Sequence, residues 1–228
     1  MTISVRPYRL ITPMLLGSTK AAITVTSYEK HTEYIKQKEY EAADKLLKNT
    51  NTDCGVDKLG DFAKSAYHRV ADMFQHEDFR HCRRVAMIGC GPFPMTALHI
   101  INQYPNIHID AMDIDLIAIR AAQQVIDRCS LNKHIALHHK NGIAHDYQAT
   151  NIVYIANLVR PKREVLQRIH ATCSPNTLVI LRDPTEMGKE YAESGLATLG
   201  PEFTVEHIGN GDDTFHSRHV FLRCHFAS

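Results

Sequence analysis

Val85-Ala86-Met87-Ile88-Gly89-Cys90-Gly91-Pro92-Phe93-Pro94-Met95 is the stretch whose reading decides the fold. Its first four residues form a short apolar run suited to a buried strand, and helical spacing resumes at Met95. A strand that ends in Gly-x-Gly and feeds a helix brings backbone amides close to a ligand. The positive helix terminus favours an anionic group at that point.

On either side of this loop the rhythm repeats. Apolar runs at 107–112, 134–138, 152–156 and 178–181 alternate with amphipathic stretches at 95–103, 116–129, 162–172 and 185–199. Such alternation implies βαβ units and a mostly parallel sheet. The last two runs, 203–208 and 219–226, are joined by the polar loop 209–218, which leaves no room for a crossover helix, so the final strand is expected to be antiparallel. Residues 28–48 read as one amphipathic helix. A second is expected from the N-cap Asp57 through Leu59, Phe62, Ala63, Ala66, Tyr67, Val70, Met73 and Phe74. The expected organisation is a helical lid over 1–83 and a Rossmann-like α/β domain over 84–228.

Asp113 sharpens the reading of the glycine loop. It lies 24 positions after Gly89, at the end of the next strand, where a carboxylate can accept both hydroxyls of a ribose. The pair describes a nucleoside site. In a dinucleotide fingerprint the third glycine allows the helix to pack beside a pyrophosphate, but Pro94 stands at that position. S-adenosylmethionine (SAM) has no phosphate, and its carboxylate can use the same amides. The expected architecture is therefore the class I SAM-methyltransferase type. The alternative is that Gly89 and Gly91 only shape a turn and that Asp113 only caps the following helix.

The same logic assigns Gly89, Cys90, Gly91, Pro92, Asp113 and Ile114 to the cofactor. Asn141 and Gly142 would face the adenine edge with Ile143 against its ring, although Asn-Gly is equally an ordinary turn pair. Ala156, Asn157 and Leu158 would lie beneath the methionine portion, because ligands bind outside the carboxyl ends of the strands.

Composition narrows the partners. Lys and Arg total 26 against 25 for Asp and Glu, without the basic tract that a phosphate backbone demands, so nucleic acid is not an expected substrate. Pro13 interrupts the apolar stretch 10–16, and no run approaches the ~18 apolar residues that span a membrane. Six cysteines stand singly, without a C-x-x-C pair, which fits a reducing cytoplasm. His138-His139 and His216-x-x-His219 lack a neighbouring Cys or Glu to complete a ligand set, so no metal is expected. The expected partners are a small-molecule substrate and, for assembly, a second copy of the chain in a homodimer, with the oligomeric state left open by the sequence.

The runs IGCGPFPMTA (88–97), MDID (112–115), IVYIANLVRPKREVLQRI (152–169), LVILRD (178–183) and DDTFHSRHVFLR (212–223) follow an order that resembles nicotianamine synthase and related bacterial metallophore synthases. The likeness covers about three fifths of the chain, and the proline-containing glycine loop is its most specific element. It implies use of the 3-amino-3-carboxypropyl group of SAM with release of methylthioadenosine. The 84 residues up to the glycine strand are shorter than the metallophore enzymes lead one to expect. On that ground the chain is expected to lie nearer the related SAM cyclases, which form azetidine-2-carboxylate. The alternatives are a small-molecule methyltransferase, which would release S-adenosylhomocysteine, and a SAM-binding protein without turnover.

Displacement at a sulfonium is an in-line attack, so the nucleophile must be held and water excluded. The expected lid carries Tyr28, Tyr34, Tyr40 and Tyr67, whose ring faces can attract the sulfonium. Glu39 or Glu41 would accept or orient the amine proton. Tyr67, Tyr34, Glu39 and Asn157 form the candidate catalytic set, against the plainer reading that helix tyrosines pack the core.

Overall fold

The computed structural model describes residues 27–49, 70–211 and 216–226. Among them, seven strands form one sheet in the order β3-β2-β1-β4-β5-β7-β6. They are β1 (Arg84–Ile88), β2 (His108–Asp113), β3 (Ile135–His139), β4 (Ile152–Ile155), β5 (Leu178–Pro184), β6 (Phe203–Ile208) and β7 (Ser217–Cys224). The first five run parallel, while β7 enters antiparallel between β5 and β6. This is the expected sheet, with its antiparallel ending.

The helices are α1 (Ser27–Lys48), a single turn α2 (Asp78–His81), α3 (Met95–Gln103), α4 (Leu116–Arg128) and α5 (Lys162–Thr172). Strand residues alternate between the two faces they cover. Val85, Met87, Ile152, Tyr154, Leu178 and Ile180 join a core beneath α3 and α4. Ala86, Ile88, Val153, Ile155, Val179 and Leu181 join the core on the α5 side. Burial on both faces explains why these strands read as unbroken apolar runs.

The N-terminal elements share the first of these cores. Ala43 and Leu46 of α1 pack with Val70, Met73, Phe74 and Phe79 against the sheet. Helix α1 matches its expected span. The second expected helix lies outside the described residues up to residue 69, and its end is a short 3-10 turn, Ala71–Gln75.

The helix expected over 185–199 is not formed. Two 3-10 turns stand there instead, Glu186–Gly188 and Leu196–Thr198. Asp183 captures the chain by accepting from the Gly195 N–H at 2.7 Å, the Leu196 N–H at 3.2 Å and the Ser194 hydroxyl at 2.9 Å. The Thr185 N–H donates to the His216 carbonyl at 2.7 Å. These tertiary bonds, together with glycines at 188, 195 and 200, outweigh the modest helix propensity of the segment.

Candidate functional site

A cavity of about 320 Å³ crosses the carboxyl ends of the parallel strands, from Asp113 and Asn141 through Gly89 and Ala156 to Arg182 and Ser217. Gly89 and Gly91 both have positive φ, +79° and +66°, a conformation that a side chain makes costly. A Cβ on Gly89 would also stand 2.8 Å from Val159 Cγ2. The loop turns sharply because these two residues permit it.

The loop amides are spoken for within the protein. The N–H groups of Gly89 and Cys90 both donate to the Met112 carbonyl, at 2.8 and 3.1 Å. The Gly91 N–H donates to Asp113 Oδ2 at 2.9 Å. Three amides of the expected cradle, those of Gly89, Cys90 and Gly91, thus have acceptors within the protein. Asp113 Oδ1 accepts from the Asp115 N–H at 2.9 Å, so the carboxylate is fixed at the rim by two backbone donors.

Of the remaining residues assigned to the cofactor, Cys90, Ile114, Asn141, Gly142, Ala156, Asn157 and Leu158 line the cavity, whereas Pro92 and Ile143 do not. Ile143 packs into the core on the α5 side instead. Asn141 accepts from the Ile143 N–H at 3.0 Å, capping a 3-10 turn, so the Asn-Gly pair does form a turn while Gly142 faces the cavity. Gly142 is closely packed, since a Cβ there would lie 2.9 Å from Ile88 Cγ2. Ile114 is an exposed apolar side chain at the rim.

Helix α1 forms the opposite wall with Tyr28, His31, Thr32, Ile35, Lys36 and Glu39, which recur at helical spacing along one face. The Tyr28 hydroxyl donates to the Leu158 carbonyl at 2.8 Å, and the Arg160 guanidinium stacks over its ring at 3.0 Å. Lys36 Nζ meets Asp115 Oδ2 at 3.0 Å. Burial lowers the Lys36 pKa, but the Asp115 hydrogen bond and the nearby acids outweigh it, so the net shift is upward. Burial, helped by His216, holds the His31 imidazole below its usual range.

The same geometry sorts the catalytic candidates. Glu39 faces the glycine loop so closely that a Cβ on Gly91 would collide with its carboxylate. Tyr34 is corrected: it points away from the cavity, 55% exposed, with Lys38 over its ring. It lies off the face that carries Ile35 and Glu39. Glu41 is likewise on the solvent side, paired with Lys38 at 2.8 Å. Tyr40 does not line the cavity, and Tyr67 lies outside the described residues.

The end beneath β5 and β7 was not foreseen. Arg182, only 7% exposed, lines the cavity with Ser217 and Tyr154. Its guanidinium donates to the Ser217 hydroxyl and lies 3.5 Å from His219 Nε2. The signal available in the sequence was an arginine closing the otherwise apolar run LVIL. Asn157 Oδ1 and Thr32 Oγ1 are buried without a hydrogen-bond partner, and both residues line the cavity.

Nucleophilic chemistry at Cys90 is disfavoured. Burial, with the nearby carboxylates of Asp113 and Glu39, raises its thiol pKa well above normal, and a protonated thiol is a poor nucleophile. Among the described residues no His, Cys, Asp and Glu cluster could hold a metal ion. No helix among them is long and apolar enough to cross a membrane.

A family model described as nicotianamine synthase protein matches residues 66–191, more than half of the chain. Among solved structures, a point mutant of MtNAS in complex with S-adenosylmethionine is similar at TM-score 0.69 and 17% identity, covering 86% of this chain and 76% of that one. MtNAS in complex with MTA and tNA has the same score and identity over 87% and 74%. The mitomycin 7-O-methyltransferase MmcR is similar at TM-score 0.58 and 11% identity, over 88% and 69%. These likenesses establish a shared fold. A search of curated proteins finds no match.

Proposed function

The chain belongs to the nicotianamine synthase family, and we propose that it binds SAM in this cavity and uses its 3-amino-3-carboxypropyl arm, releasing methylthioadenosine. The observation that carries the reading is the Glu39 carboxylate set against the Gly91 turn of a family glycine loop. Asp113 would hold the ribose hydroxyls, its oxygens keeping lone pairs beyond those used by the Gly91 and Asp115 amides. Ile114 would cover the adenine at the rim, and Ala156, Asn157 and Leu158 would support the methionine portion. Helix α1 would act as a lid that excludes water from the sulfonium.

The arm is used intramolecularly in the reading preferred here. The ammonium of SAM gives a proton to Glu39, and its nitrogen lone pair attacks the γ-carbon of the same arm. The carbon–sulfur bond breaks, sulfur keeps the electron pair, and azetidine-2-carboxylate leaves beside methylthioadenosine. The cavity supports this reading, because about 320 Å³ is at the small end of the ~300–1,000 Å³ that ligand sites span.

Transfer of the same arm to a small amine is the second reading, favoured by family membership. Incubation with SAM, followed by mass spectrometry of the products, tests both. Release of S-adenosylhomocysteine in place of methylthioadenosine would overturn them in favour of methyl transfer.

A further inference from the structure

We propose that Cys173 and Cys224 form a redox modification site, a buried dithiol that a hydroperoxide converts to a disulfide clasping the end of α5 to the end of β7. The site lies apart from the cavity. Cys224 follows Arg223, which pairs with Leu178 at the amino end of β5, whereas the cavity opens at the carboxyl ends of the parallel strands.

The geometry is already close to that of a bond. The two sulfurs are 3.2 Å apart and a disulfide needs about 2.05 Å, so an approach of about 1 Å closes the gap. Cys173 caps the C-terminus of α5, Cys224 ends β7, and both belong to the same core as Phe203. A second contact holds these segments together: His170 Nε2 donates to the His225 carbonyl at 2.7 Å, and the His170 ring stacks on Phe226. Bond formation therefore tightens a contact between segments that are already docked.

The surroundings select this pair. Among the described residues the other free thiols are Cys82 and Cys90. Burial pushes Cys82 up to about 12 and Cys90 well above its usual range, so both stay protonated and unreactive. Cys173 moves the other way, because a hydrogen bond from the Cys224 thiol stabilises its thiolate more than burial penalises it. The same bond, with burial, raises Cys224. One nucleophilic sulfur beside a protonated partner is the arrangement of an attacking and a resolving cysteine. Cys173 and Cys224 are themselves 7% and 6% exposed, but Pro175, Asn176 and His225 beside them are exposed. Opening at such element ends costs little and admits a small oxidant.

The Cys173 thiolate attacks one oxygen of the hydroperoxide, the O–O bond breaks, and the departing alkoxide takes up the proton that Cys173 had lost. Cys173 is then a sulfenic acid. The Cys224 sulfur attacks the Cys173 sulfur and gives its proton to the departing hydroxide, so that the S–S bond forms and water leaves. The two thiols lose two electrons, and the peroxide bond gains them.

Peptide mapping of the full chain after hydrogen peroxide treatment, with remaining thiols alkylated under denaturing conditions, tests the site. The expected product is a peptide pair linked through Cys173 and Cys224, released by dithiothreitol and distinct from the disulfide that Cys129 already makes. Because the link joins positions 51 residues apart, it should raise Tm by at least about 4 °C. Cys173→Ser and Cys224→Ser should each lack that gain. Alkylation of both thiols after peroxide overturns the proposal, as does sulfinic acid at Cys173 with Cys224 still free. An equal peroxide-induced gain in Tm in either serine variant also overturns it. If the variants fail to fold, the wild-type map decides alone.

Discussion

The Gly91 N–H donates to Asp113 Oδ2 across 2.9 Å, which makes the glycine loop and the acid after β2 a single hydrogen-bonded unit. The unit extends outward, because Asp113 Oδ1 accepts from the Asp115 N–H. Asp115 in turn caps α4 through the N–H groups of Ile117 and Ala118 and pairs with Lys36 of α1. The shape of the loop, the proposed ribose contact and the docking of α1 therefore share one carboxylate network.

Asp113→Ala should accordingly do two things. SAM affinity is expected to fall by about 1.5–3 kcal/mol, the scale of a charge-assisted hydrogen bond. Stability should also drop, because the Gly91 and Asp115 amides lose their acceptor. Calorimetry and urea denaturation read the two effects separately, and an unchanged SAM affinity in the folded variant would remove Asp113 from the ribose site.

Glu39→Gln is expected to lower kcat at least tenfold while SAM affinity changes little, since the amide cannot take the proton but fills the same space. Gly91→Ala should produce a related defect by displacing the Glu39 carboxylate, at a stability cost of about 1–2 kcal/mol for the positive φ. Steady-state kinetics on both single variants and the double variant check the coupling. Fully additive losses would mean that Gly91 and Glu39 act independently.

Lys162 provides a stability test through pH. Its Nζ donates to the Arg182 and Glu193 carbonyls, and burial lowers its pKa to about 8 against about 10.4 for a free lysine. Between those values the unfolded chain binds more protons than the folded one, so this residue makes stability rise with pH. The contribution is complete above about 10.4 and is lost as pH falls through about 8. Urea denaturation at pH 7.5 and 9.5 should show a more positive trend in wild type than in Lys162→Met. Identical trends would place the ammonium in a more polar setting than its two carbonyl partners suggest.

Closure of α1 over the cavity is expected to appear as slowed amide exchange in residues 27–48 on SAM binding. The Lys36–Asp115 pair is partly exposed, with side chains 38% and 26% accessible, so Lys36→Met should cost no more than about 1 kcal/mol. Tyr28→Phe, which removes the bond to the Leu158 carbonyl, should weaken the SAM-induced protection further. Exchange in α1 that ignores SAM would remove its role as a lid.

The strand positions and the glycine turn were legible because they follow from local chemistry: apolar runs such as 152–155 and 178–181 have few alternatives to buried parallel strands. The segment 185–199 misled because Asp183 organises it from a distance, an effect that helical periodicity does not contain. Tyr34 misled for a different reason. Its helix was read correctly, but the face turned to the cavity is set by Ala43, Leu46 and the sheet beneath them, and that face carries Tyr28 and Glu39. Arg182 only closes an apolar run in the sequence, and it is the antiparallel entry of β7 that brings Ser217 and His219 against it. The internal pairing of the loop amides depends on the position of the Met112 carbonyl, which the glycine spacing does not specify.

The most direct measurement is to incubate the pure protein with SAM alone and identify every product by mass spectrometry. The expected result is methylthioadenosine and azetidine-2-carboxylate in equal amounts, formed faster as rising pH frees the α-amine. Homoserine in place of the cyclic product would make water the nucleophile, and turnover only after an amine is added would make the protein a transferase. S-adenosylhomocysteine as the product would contradict use of the aminocarboxypropyl arm altogether.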